Sequence, residues 1–254
     1  MKIILLICLF PLFVFGGGAI NFDGTDDYVT LSSVDDYTDE ITFNLWFNPQ
    51  GDSATQKYRP LLSKRTGANI DYQITYVKVY AFADYNKIRL NYGGTSIQQA
   101  SSSTDLSSLD DSWISLFITL DGANVRFYIN GELDSSESQT APLSSSVLGN
   151  YIGLDRATGT SYYSGLMGEC IIYNVVLSGE EIKAMYASRN AWYPKTGLVS
   201  RWSMGNNGIN TGQSHPNGST VKDSAGSNDG TINDGSDASM TLESSPTRKK
   251  RGRR

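Results

Sequence analysis

Two groups of carboxylates and one group of aromatic residues stand out as places where this sequence could do chemistry. Asp23, Asp26 and Asp27 crowd the turn Asp23-Gly24-Thr25-Asp26-Asp27. Carboxylates and main-chain carbonyls in such a turn suit Ca2+, a hard ion that takes roughly six to eight oxygens; the same residues also make an ordinary Asp/Gly turn. Glu132, Asp134 and Glu137 form a literal E-x-D-x-x-E. Retaining hydrolysis of a glycoside needs two carboxyls roughly 5–5.5 Å apart in a cleft. This motif instead follows directly on the Asn130-Gly131 turn, and Ser135 and Ser136 stand where apolar residues would anchor a buried strand. It reads as an exposed hairpin return, and no catalytic residue is assigned.

Sugar recognition uses a flat ring under the C–H face of the sugar, with amides and carboxylates beside it. Trp46 between Asn44 and Asn48 has those groups, and Tyr72, Tyr76, Tyr80 and Tyr85 add rings. The alternative for Trp46 is packing under a loop. Asp155, Arg156, Tyr162 and Tyr163 form a second group at a loop tip. A nucleophile–base pair has little support, because His215 is the only histidine and lies in the loose stretch S-H-P-N-G. Such a pair needs a rigid scaffold. Cys170 lies in an apolar run and reads as core.

The elements that must position these residues are mostly strands. Ile114, Leu116, Ile118 and Leu120 alternate with Ser115 and Thr119, and Val125, Phe127 and Ile129 alternate with Arg126 and Tyr128. A period of two marks strands with one buried face. Asp121-Gly122 and Asn130-Gly131 supply the tight turns of a meander over 113–138. That meander needs a second sheet to cover its apolar face. Ile41, Phe43, Leu45 and Phe47 share one face of another strand, with Thr42, Asn44, Trp46 and Asn48 on the other. Further strands are expected at 19–22, 28–31, 61–64, 72–82, 87–92, 95–99, 151–154, 166–173 and 198–204. Ser178-Gly179-Glu180-Glu181 has capping-box spacing, with Ile182, Met185 and Tyr186 following at helical spacing, so one helix is expected over 178–189.

The chain has 254 residues, 39% hydrophobic and 11% aromatic, with 15 Tyr and 25 Gly. These values suit one large all-β unit with many turns. Lys2, the apolar run Ile3–Phe15 and the small residues Gly16-Gly17-Gly18-Ala19 read as a secretory signal over 1–18. The run is short for a membrane span; an uncleaved anchor or a buried first strand is the alternative. Export leaves Cys170 without a partner, so no intrachain disulfide is expected. The formal charge is −5, and the six basic residues of the tail Arg248–Arg254 leave −11 for the remainder. An acidic body does not neutralise phosphates, so nucleic acid is expected only at the tail, if anywhere. The tail also resembles a processing site for a proprotein convertase, and Asn217-Gly218-Ser219 is an N-glycosylation sequon in a eukaryotic host. Residues 205–254 are rich in Gly, Asn and Ser and are expected to be largely irregular.

With the elements in order, the sequence resembles the laminin G-like, pentraxin-like branch of the concanavalin A-like lectin/glucanase superfamily. Phe22–Val29 is similar to that family's F-D-G-x-x-D-Y-V, Ile41–Pro49 to F-T-I-S-A-W-V-K-P, and Trp113–Gly122 to W-H-H-V-A-V-T-Y-D-G. Val125–Gly131 is similar to V-R-L-Y-V-N-G, and Gly165–Leu177 to G-Y-I-D-E-V-R-I-Y-N-R-A-L. The resemblance covers residues 19–187 and implies a two-sheet antiparallel jelly roll that usually acts as a binding module. It implies structural calcium in some members near Asp23–Asp27 and the last strand, where Gly168 replaces an aspartate and Glu169 remains as a candidate ligand. In related glycanases of this fold, E-x-D-x-x-E carries the nucleophile and the acid. The family's G-L-V-x-Y-W and D-S-S-G-N-x-N-D-G-T-L normally precede F-D-G. Here Gly197–Trp202 and Asp223–Ile232 follow the unit, and 198–204 is expected to fill the edge position; pairing with a neighbouring subunit or the stub of a second module is the alternative.

The reading is a secreted or particle-surface β-sandwich over 19–204 that binds glycans or glycoproteins without catalysis. The alternatives are a module for protein–protein contact, for instance on a virion surface, and a glycoside hydrolase using Glu132, Asp134 and Glu137.

Overall fold

The computed structural model describes residues 18–32, 40–50, 57–144, 149–155, 161–205, 216–235 and 240–243. In chain order the strands are β1 (Ala19–Asp23), β2 (Tyr28–Leu31), β3 (Glu40–Pro49), β4 (Tyr58–Thr66), β5 (Asn69–Val77), β6 (Ile88–Gly94), β7 (Gln98–Ser101), β8 (Ile114–Asp121) and β9 (Asn124–Ile129). They continue with β10 (Glu132–Ser138), β11 (Asn150–Ile152), β12 (Leu154–Asp155), β13 (Ser161–Tyr162), β14 (Ser164–Tyr173), β15 (Leu198–Ser203), β16 (Thr220–Val221), β17 (Gly230–Asn233) and β18 (Leu242–Glu243). One α-helix, α1, spans Gly179–Ser188.

Two antiparallel sheets form the sandwich. The first runs β10-β9-β8-β3-β14-β1-β18, and β15 pairs with β14 beyond β1; the second runs β16-β17-β2-β11-β4-β5-β6-β7. The alternating residues meet between them: Phe43, Leu45, Leu116, Ile118 and Phe127 of the first sheet share one core with Val29, Tyr72, Ile74 and Leu90 of the second. Such burial follows from the strand period and supplies the main drive for closure. The Asn130-Gly131 turn has both residues at positive φ, 52° and 83°, as a tight hairpin requires.

A second apolar layer covers the back of the first sheet. Phe117, Tyr128, Ile171 and Tyr173 project outward and are roofed by Leu177, Ile182 and Met185. Ser178 caps α1: its hydroxyl accepts from the Glu181 N–H while Glu181 accepts from the Ser178 N–H. Arg189 ends the helix in the left-handed conformation. Among the described residues, no helix is long and apolar enough to cross a membrane.

The expectation of an irregular segment after residue 205 is corrected for its described part. β16 and β17 extend the second sheet beyond β2, and β18 extends the first beyond β1. Val221, Ile232 and Met240 are buried in the main core. Single apolar residues in a polar stretch suffice because each strand adds to a ready-made sheet edge and needs only one or two inward side chains. Leu198–Ser203 pairs with β14, burying Trp202, whose indole N–H donates to the Asn228 carbonyl. The expected strand over 72–82 ends at Val77, and 78–86 forms turns. The leader 1–17, Arg156, His215 and the basic tail lie outside the described residues.

Candidate functional site

The two outer faces of the sandwich differ: α1 roofs the first sheet, whereas the second carries a row of polar side chains. The register of β17, β2, β11, β4, β5, β6 and β7 sets Thr231, Thr30, Tyr151, Ser63, Gln73, Asn91 and Gln99 directly opposite one another in turn. Paired residues in an antiparallel ladder share a face. At roughly 4.8 Å between strands the row spans roughly 29 Å. Asn91 donates its amide to the Gln73 carbonyl oxygen at 3.1 Å, and Arg65 donates to the same oxygen at 2.8 Å. The β12–β13 ribbon crosses at β4, where the Ser63 hydroxyl donates to the Leu154 carbonyl at 2.7 Å.

On one side of the ribbon three half-buried tyrosine rings gather. Tyr28 lies 6.1 Å from Tyr151 and 6.3 Å from Tyr162 between centroids. Asn233, opposite Tyr28, donates its amide to the Thr30 hydroxyl at 3.0 Å. Rings, hydroxyls and amides together form the surface a sugar needs. Sequence reasoning singled out Tyr162 but missed Tyr28 and Tyr151; their outward places in the alternating runs Y-V-T-L and N-Y-I were the available signal.

At the end of β2 lies the acidic turn. Asp23, Asp26 and Asp27 each present a carboxylate oxygen, all within 4.8 Å of one another. The Asp27 carboxylate accepts from the Asp23 N–H at 2.9 Å, and Asp23 accepts from the Thr25 N–H at 2.7 Å. Gly235 backs the turn so closely that a Cβ there would sit on the Asp26 carboxylate. The donor set, hard oxygens on a tight turn, fits Ca2+.

Glu169 is corrected as a member of that set. It lies five residues along β14 from Ser164, the partner of Asp23, which at roughly 3.3 Å per residue is roughly 17 Å away. Its carboxylate accepts from Arg201 Nε at 2.6 Å and from Asn190 at 2.6 Å. Burial raises its pKa, opposed by Arg201 and Asn190. Gly168 has a packing reason, since a Cβ there would lie 3.1 Å from the Trp113 ring.

Most of the other ring candidates are also corrected. Trp46 is only 6% exposed because Tyr186 of α1 stacks on it, and Asn44 is buried between the Leu116 carbonyl and the Asn190 amide. Asn48 is buried as well. Tyr72 and Tyr76 point into the core, where Tyr72 donates to Asn150 and Tyr76 to Asp110. Tyr163 is buried between Phe22 and Phe47. Asp155 is buried and pairs with Arg65 at 3.2 Å. Tyr80 and Tyr85 do reach the surface, edge to face at 5.4 Å.

The E-x-D-x-x-E carboxylates are separately engaged. Glu132 pairs with Lys183 at 2.8 Å, Glu137 accepts from the Ser101 N–H at 3.0 Å, and Asp134 accepts from the Ser103 and Thr104 N–H groups at 2.6 and 3.1 Å. Asp134 and Glu137 fasten β10 to the chain leaving β7, whereas Glu132 ties it to α1.

The chain folds as a two-sheet antiparallel β-sandwich whose second sheet turns polar and aromatic side chains outward. Residues 23–183 match the family model for the concanavalin A-like lectin/glucanases superfamily, laminin G type. The chain belongs to that family. It is similar in fold to a protein from Bacteroides ovatus proposed to bind carbohydrate, with TM-score 0.66 and 16% identity over 90% of this chain, which spans 60% of that protein. It is also similar to the heptameric SAP-like pentraxin of Limulus polyphemus, with TM-score 0.51 and 14% identity over 72% of this chain and 87% of the pentraxin. No curated protein sequence matched the chain.

Proposed function

We propose that the protein is a non-catalytic carbohydrate-recognition module of an exported or particle-surface protein, and that it binds neutral glycan through the outer face of the second sheet. The observation that carries this is the Tyr28–Tyr151–Tyr162 cluster at the head of the hydroxyl-and-amide row. The Bacteroides neighbour supports the sandwich as a binding scaffold. Engagement of Glu132, Asp134 and Glu137 by the protein itself supports a binding rather than a hydrolytic role. A glycan array followed by calorimetry on Tyr151→Ala and Tyr162→Ala tests it. The expected loss is about tenfold in affinity, equivalent to about 1.4 kcal/mol. A blank array alongside stable oligomers would instead favour protein–protein contact.

Asp23, Asp26 and Asp27 would hold Ca2+ and fix the turn beside the tyrosines. Calcium would raise the melting temperature by mass action, about 2.7 kcal/mol of stabilisation at a hundredfold excess over Kd. An unchanged melt, or an equal rise in Asp26→Asn, would remove this site.

A further inference from the structure

Across the β12–β13 ribbon from the three tyrosines, the same face ends in a second aromatic cluster. The Arg89 guanidinium lies 5.1 Å from the Phe82 ring centroid and 5.8 Å from that of Tyr58, and the two rings are 6.1 Å apart. Asp84 holds the guanidinium in a two-pronged pair, with Arg89 Nη2 donating at 2.6 Å. The cluster therefore presents rings and hydrogen-bonding groups with its charges already matched. Phe82 is 43% exposed and Tyr80 86% exposed, so the 78–86 turns hold apolar rings out to solvent.

Thr75 supplies an independent sign. It stands opposite Arg89 on one side and Pro60 on the other, on the outward face of β5. It is 2% exposed, and its hydroxyl has no hydrogen-bond partner among the described residues. A buried hydroxyl left unmade carries a desolvation cost that an incoming hydroxyl would relieve. Gln99 and Ser101 border the same spot, both donating toward Asp84.

We propose a second carbohydrate subsite formed by Tyr58, Phe82, Thr75 and the Arg89–Asp84 pair, so that one neutral oligosaccharide passes over the β12–β13 ribbon from Tyr151 to Phe82. The inference rests on the glycan-binding reading above and adds the class and length of the ligand. Neutrality follows from the matched charges at the subsite and from the net charge of −11 that the chain carries apart from its basic tail, which repels uronic acids. Length follows from the geometry. Ser63 and Gln73, on the row that leads away from Tyr151, are buried, and the β12–β13 ribbon packs over β4, so a ligand that touches both clusters must span the ribbon. A single sugar cannot reach both ends. Joining two weak contacts through one chain raises affinity without any new contact type.

The experiment is calorimetry with neutral ladders of gluco-, xylo-, manno- and arabino-oligosaccharides, from disaccharide to octasaccharide, and a polygalacturonate ladder beside them. Wild type is expected to gain affinity with length on at least one neutral ladder and to bind the acidic ladder more weakly. In Phe82→Ala and in Thr75→Val the ratio of octasaccharide to disaccharide affinity is expected to fall at least tenfold, with melting curves showing both variants folded. A length gain unaltered in both variants overturns the second subsite and leaves the first reading standing. Tighter binding of the acidic ladder overturns the assignment of a neutral ligand. A wild type that binds no oligosaccharide of any length overturns both readings together.

Discussion

The indole of Trp46 and the ring of Tyr186 lie face to face, 5.9 Å between centroids and 10° from parallel. The residue that strand alternation turns outward is thus the one on which the helix rests. Gly131 completes the contact, since a Cβ there would come within 2.8 Å of Tyr186. Trp46→Ala should cost about 3–5 kcal/mol of stability, read from urea unfolding, and should leave glycan affinity at the opposite face unchanged. A large affinity loss in a stable Trp46→Ala protein would return the indole to the binding site.

Asp134 gathers two main-chain N–H groups and the Thr104 hydroxyl. Asp134→Ala leaves those donors without their acceptor and should destabilise by about 1–3 kcal/mol. Glu132→Gln and Glu137→Gln should change neither stability nor sugar release from polysaccharides. Reducing-sugar assays in which wild type releases product and Glu132→Gln does not would reinstate a hydrolase.

Asp121 gives a defined acid limb. Burial raises its pKa, but the Arg126 guanidinium and the Asn124 and Ala123 N–H groups outweigh this and bring it from 3.8 down to about 2. A depressed folded-state value stabilises wherever the group is ionised, and that gain is lost as pH falls from about 3.8 through about 2. Melting curves of wild type and Asp121→Asn should therefore converge across that window. Glu169 acts in the opposite sense: its raised value makes its contribution best at low pH, and it declines as pH rises past 4.5.

Cys170 is fully buried, and burial, then Glu169 and Asp223, push its thiol well above the ordinary range. The thiolate is the reactive form. Peptide mapping after treatment with iodoacetamide should find Cys170 unmodified in the native protein and alkylated in guanidinium chloride.

A chain ending at Gly205 would lose β16, β17 and β18, with Val221, Ile232 and Met240 of the core and the Asn228 acceptor of Trp202. Its unfolding should lose cooperativity or shift to far lower urea. A cooperative transition at the full-length midpoint would show these strands to be dispensable.

The sandwich was readable because its central strands alternate so regularly: Phe43, Leu116 and Phe127 were assigned inward from a period of two, and all are fully buried. The capping box at Ser178 was equally direct, being a local hydrogen-bond pattern. What the chain concealed were contacts between distant segments. Alternation set Trp46 on the correct face but carried no sign of the helix above it. Glu169 kept a family position while Arg201, 32 residues on, took its charge. Tyr28 and Tyr151 are 123 residues apart in sequence and meet only through the β2–β11 pairing. Ile232 sits alone among polar neighbours, so no periodicity marks its strand.

β1 and β18, the first and last described strands, are hydrogen-bonded neighbours, with Ala19 opposite Glu243 and Ile20 opposite Leu242. The backbone path is therefore nearly a closed loop, and its opening point is a matter of genetic order rather than of packing. A short linker from 243 to 19 with a new opening between 205 and 216 would begin the unit with β16 and end it with β15. An opening between 188 and 197 would place β15 through β17 ahead of Phe22-Asp23-Gly24, the arrangement usual among its relatives. Both rearranged chains should fold to the same sandwich, with the tyrosine face facing away from the joint.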